Sequence, residues 1–259
     1  MPIAEIDGLK IAFDHHRPKG EPRQRIVFVH GTGCNKRVFD RPISALVEHY
    51  EILVPDLPGH GDSSGDGYRG IADYAFSVGH LLEHLGWRDV VVAGHSMGGG
   101  IALAMAIYFS PLIRALMLID TGARLRVSPT IINAAKRAAQ TGTSVAGDPR
   151  YGFAANTSSE TVDAINAITA QCRPEVRLRD WIADDTCDFM GRLAQIDVPS
   201  VALCGDEDEF TPVKYSAFFE RHLPQCRMAV INGAGHWPFV EQPQAFDAEV
   251  SKFLESLAG

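Results

Sequence analysis

The 259-residue chain has no stretch of 18 consecutive apolar residues, so no segment of it reads as a transmembrane helix. It has no run of like charges and no low-complexity tract. With 46% hydrophobic against 22% charged residues, it carries enough apolar side chain to bury a core and is not expected to be disordered. Basic residues are in deficit: 24 Lys and Arg stand against 32 Asp and Glu, a net charge of -8. That balance disfavours general nucleic-acid binding or docking on an anionic membrane, both of which need basic clusters. Cysteine is sparse as well. Cys34, Cys172, Cys187, Cys204 and Cys226 are odd in number and scattered, with no C-x-x-C pair and no zinc-spaced group, which fits reduced thiols in a cytoplasmic protein. The opening residues MPIAEIDGLKIAF lack a basic segment and a long apolar run. They alternate apolar and polar positions around Asp7-Gly8, which predicts a β-hairpin and not a signal peptide. In the glycine-rich stretch 91–100 neither G-x-G-x-x-G nor G-x-x-x-x-G-K-[ST] occurs, so no phosphate cradle is indicated there. These absences leave small-molecule chemistry as the favoured function class.

What is present is an alternation. Short apolar runs, IVFVH from 26, EILVPD from 51, DVVVAGH from 89, RALMLID from 114, PSVALCG from 199 and CRMAVIN from 226, each predict a strand buried on both faces. Helical periodicity lies between them, as in 71–86 and 241–257. The pattern predicts a mostly parallel sheet with helices on both faces, in which ligands bind beyond the carboxyl ends of the strands. His30, Asp56, Ser96, Asp120, Asp208 and His236 fall there. From 122 to 190 no parallel-type strand is visible. Helix starts are expected at Ser128-Pro129, at a Thr157-x-x-Glu160 capping box and at Pro174. The expected organisation is therefore an α/β core from 1–121, a helical cap from 122–190 and the rest of the core from 191–259.

One stretch, VVAGHSMGGG from 91, places a hydroxyl between glycines where a buried strand ends. Gly94-His95-Ser96-Met97-Gly98 matches the G-x-S-x-G nucleophile elbow, with a strand before it and the helical IALAMAIYF after it. The tight turn strains the serine backbone and tolerates no side chain at the flanking glycines. It also holds the hydroxyl at a helix N-terminus, where the N–H of Met97 can stabilise an oxyanion. A serine needs a base and an acid. His236, in NGAGHWPF just after the last strand, is the candidate base. CGDEDEFTP offers Asp206, Glu207, Asp208 and Glu209 for the acid.

Together these residues resemble the α/β-hydrolase fold superfamily over nearly the whole chain. The family carries its triad in the order serine, acid, histidine, and its acid loop commonly reads glycine, two variable residues, aspartate, then a proline opening the next helix. Gly205, Asp208 and Pro212 match, so the resemblance selects Asp208. HGTG from His30 resembles the family's oxyanion loop, which implies that the Thr32 N–H partners that of Met97. PDLPGHGDS from Pro55 resembles a structural loop, giving Asp56, His60 and Asp62 structural roles. The implied activity is hydrolysis of a small carboxylic ester or thioester through an acyl-enzyme, with a small-molecule acyl substrate and no metal or organic cofactor. Two alternatives remain: a carbon–carbon bond hydrolase of dienoate ring-cleavage products, for which Asn35, Lys36 and Arg37 are candidate binding groups, and a non-catalytic ligand receptor on the same fold. Trp181, Phe189, Met190, Trp237 and Phe239 suggest an apolar pocket. Arg124 and Arg126 are candidates to attract anionic substrates.

Overall fold

A computed structural model describes residues 2–143 and 148–258; residues 144–147, inside the stretch expected to form the cap, and the two terminal residues lie outside the described ones. The chain begins with the antiparallel hairpin β1 (Ile3–Ile6) and β2 (Leu9–His16). Asp7 and Gly8 turn between them with φ of 50° and 78°, the two left-handed residues that a tight hairpin turn requires. There follow β3 (Arg25–Val29), α1 (Asp40–Leu46), β4 (Glu51–Pro55), α2 (Ile71–His84), β5 (Val90–His95), α3 (Met97–Tyr108) and β6 (Ile113–Ile119). Three helices come next, α4 (Pro129–Thr141), α5 (Ser159–Thr169) and α6 (Pro174–Thr186). The chain then closes with β7 (Ser200–Gly205), α7 (Lys214–His222), β8 (Cys226–Ile231), α8 (Pro238–Glu241) and α9 (Pro243–Ser256).

The strands form one eight-stranded sheet in the order β1-β2-β4-β3-β5-β6-β7-β8, antiparallel through β4 on one side and parallel thereafter. Strand order reverses between β3 and β5, the position at which helices depart to opposite faces and leave a crevice at the carboxyl edge. Two apolar layers cover the sheet: α2 and α3 pack on one face through Val78, Leu82, Ile101 and Met105, and α1 and α9 on the other through Ile43, Phe246, Val250 and Phe253. The five strands from β3 to β7 are almost wholly buried, as their unbroken apolar runs predict. β8 departs from that expectation. Five of its six residues are only half-buried, because it is an edge strand with one neighbour.

Two helix boundaries also differ from the pattern. α5 is capped by Ser158, whose Oγ accepts from the Thr161 N–H at 3.1 Å, and not by Thr157. The Thr157 hydroxyl donates instead to Glu241, so the tertiary partner takes the group that the local motif would use. The terminal helical region opens at Pro238, ahead of Glu241, because Pro238 and Pro243 each start a helix at a first-turn position where a missing N–H costs nothing.

Candidate active site

Ser96 lies between β5 and α3 with φ 54° and ψ -121°, a conformation a non-glycine residue adopts only under constraint. The constraint is visible. The Ser96 N–H donates to the Ile119 carbonyl at 2.9 Å, and the Ser96 carbonyl accepts from the Thr121 hydroxyl at 2.7 Å and the Gly99 N–H at 2.8 Å. A Cβ on Gly94 would overlap the Gly98 carbonyl, and one on Gly98 would overlap the Val29 carbonyl. Glycine at both places lets strand, helix and the end of β3 close together beneath the hydroxyl.

His236 follows β8 in a loop that is held from two sides. Its N–H donates to the Gly152 carbonyl at 2.7 Å, and its carbonyl accepts from His95 Nε2 at 2.7 Å. Because His95 Nε2 carries that hydrogen and burial keeps the ring neutral, with its pKa lowered to about 3, the His95 Nδ1 lone pair is unprotonated. His236 Nδ1 lies 2.8 Å from Asp208 Oδ2. The Asp208 carboxylate also accepts from the Phe210 N–H (2.7 Å), the Thr211 N–H (3.1 Å) and the Thr211 hydroxyl (2.6 Å). Burial alone would raise its pKa, but the His236 ring and these hydrogen bonds outweigh burial and hold the carboxyl well below the usual carboxylate range. The structure brings Asp208, and none of its acidic neighbours, to the imidazole. Asp206 accepts from the Gly233 N–H at 2.7 Å, Glu207 from the Ala155 N–H at 2.8 Å, and Glu209 is exposed at the cavity mouth. Asp120, at the end of β6, completes a buried group with Asp208 and His236; burial first, then the Asp208 charge, drives its pKa well above the usual value.

The loop after β3 carries Thr32. Neutral His30 anchors it, accepting from the Leu57 N–H at Nε2 (3.0 Å) and donating from Nδ1 to the Gly31 carbonyl (3.0 Å), with burial lowering its pKa to about 4. Among the described residues the N–H groups of Thr32 and Met97 meet no protein acceptor, so both remain able to donate to a ligand oxygen. The loop is gripped from above by α6. Asp180 accepts from the Gly33 N–H (2.9 Å), the Tyr74 hydroxyl (2.6 Å) and His60 Nε2 (2.8 Å), and Asp184 accepts from the Thr32 hydroxyl (2.6 Å). His60 Nδ1 faces the Pro58 carbonyl at 3.2 Å, so both its ring nitrogens face acceptors and the ring is an imidazolium. Burial opposes that charge, yet Asp180 raises the His60 pKa to about 10. The resemblance gives His60 a structural role without a partner; the partner lies 120 residues on.

A cavity of about 310 Å³ opens over Ser96 and His236 and is lined by Thr32, Trp181, Asp184 and Trp237 among others. Several sequence candidates lie elsewhere. Asn35 caps the turn after Cys34, Lys36 is buried against Asp56 (2.7 Å) and Asp62 (2.8 Å), and Arg37 is exposed beside Asp40. None of the three lines the cavity, so they are not placed to hold a dienoate. Phe189 and Phe239 belong to the core, and Met190 is exposed. Arg126 lines the mouth but Arg124 does not, and Asp188 lies within ion-pair reach of both, at 3.7 Å from Arg124 and 3.9 Å from Arg126. A cavity cation that the sequence reading does not single out is Arg177 on α6. Its signal was the spacing of Arg177, Asp180, Trp181 and Asp184, which puts them on one helix face.

Residues 26–249 match the model of the Alpha/beta hydrolase family. The chain is 28% identical to Lipase 3 of Moraxella sp. (strain TA144), covering 92% of this chain and 78% of that one. It is 27% identical to the pimeloyl-[acyl-carrier protein] methyl ester esterase of Neisseria meningitidis serogroup C, covering 90% and 94% of the two chains. A thermophilic esterase from Thermogutta terrifontis superposes over 100% of both chains with a TM-score of 0.87 at 23% identity.

Proposed function

The chain belongs to the alpha/beta hydrolase family, and from that membership we propose that it is a serine hydrolase of small carboxylic esters or thioesters. The observation that carries this reading is the Asp208–His236 bond of 2.8 Å in a cavity whose floor is Ser96. Lipase and esterase relatives support cleavage of an ester bond. In the proposed reaction His236 Nε2 takes the Ser96 proton as the oxygen attacks the carbonyl, while Asp208 holds Nδ1–H and stabilises the imidazolium. The Thr32 and Met97 N–H groups receive the oxyanion. His236 then protonates the leaving group, and water attacks the acyl-enzyme by the same route. The steps use only these side chains and water. The segment containing α4, α5 and α6 acts as the cap, and Trp181 and Trp237 favour a short apolar skeleton. Five unpaired cysteines suit a reducing compartment, which supports the cytoplasm, and no described helix is long and apolar enough to cross a membrane.

The test is Ser96→Ala assayed on p-nitrophenyl esters of graded chain length. A loss of about 10³ to 10⁶ in kcat with an unchanged melting temperature is expected. A variant that keeps more than about a tenth of the activity would remove Ser96 from the mechanism.

A further inference from the structure

Two guanidinium groups line the cavity, and they differ in environment. Arg126 is exposed at the mouth, with Asp188 3.9 Å away and the Asp185 carbonyl accepting from its Nη1. Arg177 is half-buried inside. Its Nη2 donates to the Thr169 carbonyl, and among the described residues no carboxylate lies within ion-pair distance of it. A guanidinium held partly out of water without a counter-ion loses hydration for no Coulombic return, an arrangement that makes physical sense when a ligand supplies the anion.

The position fits a substrate group. A Cβ on Gly33 would stand 3.0 Å from Arg177 Nε, and one on Gly31 would stand 2.8 Å from the Ser96 Cβ. The guanidinium therefore abuts Gly33, two residues along the Thr32 loop from the glycine that abuts Ser96, and the two glycine Cα atoms are roughly 7 Å apart at most. One helical face of α6 carries a second feature. Asp184 is buried at the cavity wall, its Oδ2 accepts from Thr32, and its buried Oδ1 has no partner among the described residues. Burial first, and Asp180 next, raise the Asp184 pKa to about 8 against the pull of the Thr32 bond, so at neutral pH it is a carboxylic acid. As an acid it does not compete for Arg177 and does not repel an anion, and its free oxygen is a site for the O–H donor.

We propose that Arg177, aided by Asp184, binds a carboxylate on the substrate, so that the preferred ester carries a free carboxylate a few carbons from the bond that is cut. A single interior guanidinium, with a neutral acid on the same helix face, matches a planar monoanion better than a dianionic phosphate. The remaining walls, including Leu125, Ile131 and Trp181, suit the carbon chain between the two ends. This inference rests on the ester-hydrolase reading.

The experiment uses two pairs of esters of matched length. p-Nitrophenyl hydrogen adipate and p-nitrophenyl hexanoate place the carboxylate or a methyl on the acyl side. The hexanoate esters of 4-hydroxybutyrate and of butanol place it on the alcohol side. In each pair the readout is the ratio of kcat/KM for the anionic over the neutral ester. Arg177→Met should lower that ratio ten- to hundredfold in at least one pair, through KM, with Arg177→Lys between the variant and the parent. Unchanged ratios in both pairs would overturn the proposal. A binding measurement separates it from the hydrolase reading: in the Ser96→Ala background, calorimetry with monomethyl adipate should show affinity weakened at least tenfold by Arg177→Met. Equal affinities refute the carboxylate site even if Ser96→Ala is inactive, whereas active Ser96→Ala refutes the nucleophile and leaves the binding comparison standing.

Discussion

At the residue scale, the division of labour among four neighbouring acids follows from what each carboxylate touches. Asp208 has the imidazole and three donors from residues 210 and 211, whereas Asp206 only closes a turn with the Gly233 N–H. Replacing Asp208 by Asn keeps the size but allows the amide N–H to face His236, which favours the wrong ring tautomer. Asp208→Asn should therefore lower kcat by roughly 10³- to 10⁴-fold, and Asp206→Asn by less than about tenfold. Steady-state kinetics on one ester decides between them, and a larger loss at Asp206 would move the acid two residues back along the loop. The sequence makes Ser96 and His236 legible because each has a local cause: a glycine-bracketed turn for one, a loop directly after the last strand for the other. Local pattern alone leaves the acid open among four residues; the resemblance selects Asp208, and the three-dimensional path of the loop brings that residue to the imidazole. Asp120 is recognisable as a strand-end residue, but its proximity to Asp208 depends on the adjacency of β6 and β7, which no local pattern encodes.

At the element scale, α6 ties the residues above the sheet to the loop that supplies the Thr32 N–H. Arg177, Asp180, Trp181 and Asp184 recur at the spacing of one helix face, so a helix whose amphipathic pattern is weak by ordinary standards turns polar groups inward. This is why the alternation of strands and helices is plain from sequence while the role of α6 is not: the pattern that identifies a helix assumes that its buried face is apolar. Asp180 is the centre of the contact, with Gly33, Tyr74 and His60 converging on it and no exposure to solvent. Removing its charge leaves a buried imidazolium without a counter-ion. Asp180→Asn should destabilise the fold by about 3 to 5 kcal/mol, the range for breaking one side of a buried pair. His60→Gln in the same background should recover part of the loss, because the stranded charge goes with it. Urea titration of the two single variants and the double variant measures this. Additive losses would mean that the two side chains are not coupled and that α6 is held by its apolar contacts alone.

At the scale of the whole molecule, the site unites residues from the ends of β3, β5 and β7, the loop after β8, and α6, so it exists only while the entire sheet and its covering helices are assembled. Stability therefore sets the pH range of function, and the buried groups fix its shape. Asp180 and Asp208 have lowered values, so they stabilise the fold above the ordinary 3.8 and lose that contribution as pH falls below it. His30 and His95, lowered to about 4 and about 3 from 6.5, bind fewer protons folded than unfolded across that interval and weaken the fold as pH drops. Asp120 and Asp184, both raised, bind more protons folded than unfolded and act in the opposite direction over the same interval. The two histidines and the two acids oppose each other as pH rises from about 4 towards 6.5. Above 6.5 the two lowered histidines no longer contribute, while His60, raised to about 10, joins Asp184, raised to about 8, in holding a proton that the unfolded chain gives up. Each such group contributes a downward slope of about 1.4 kcal/mol per pH unit until it titrates. Stability should thus be greatest on a plateau near pH 4 to 6.5 and decline from there to pH 9, instead of peaking near neutrality. Urea midpoints measured at pH 5.5, 7.0 and 8.5 test the sign, and a midpoint that rises across that series would refute it. Asp184→Asn supplies the internal control: with no proton to hold at that site, the decline between pH 6.5 and 8 should be shallower by about one group's share. An unaltered slope would mean that Asp184 is ionised in the folded protein.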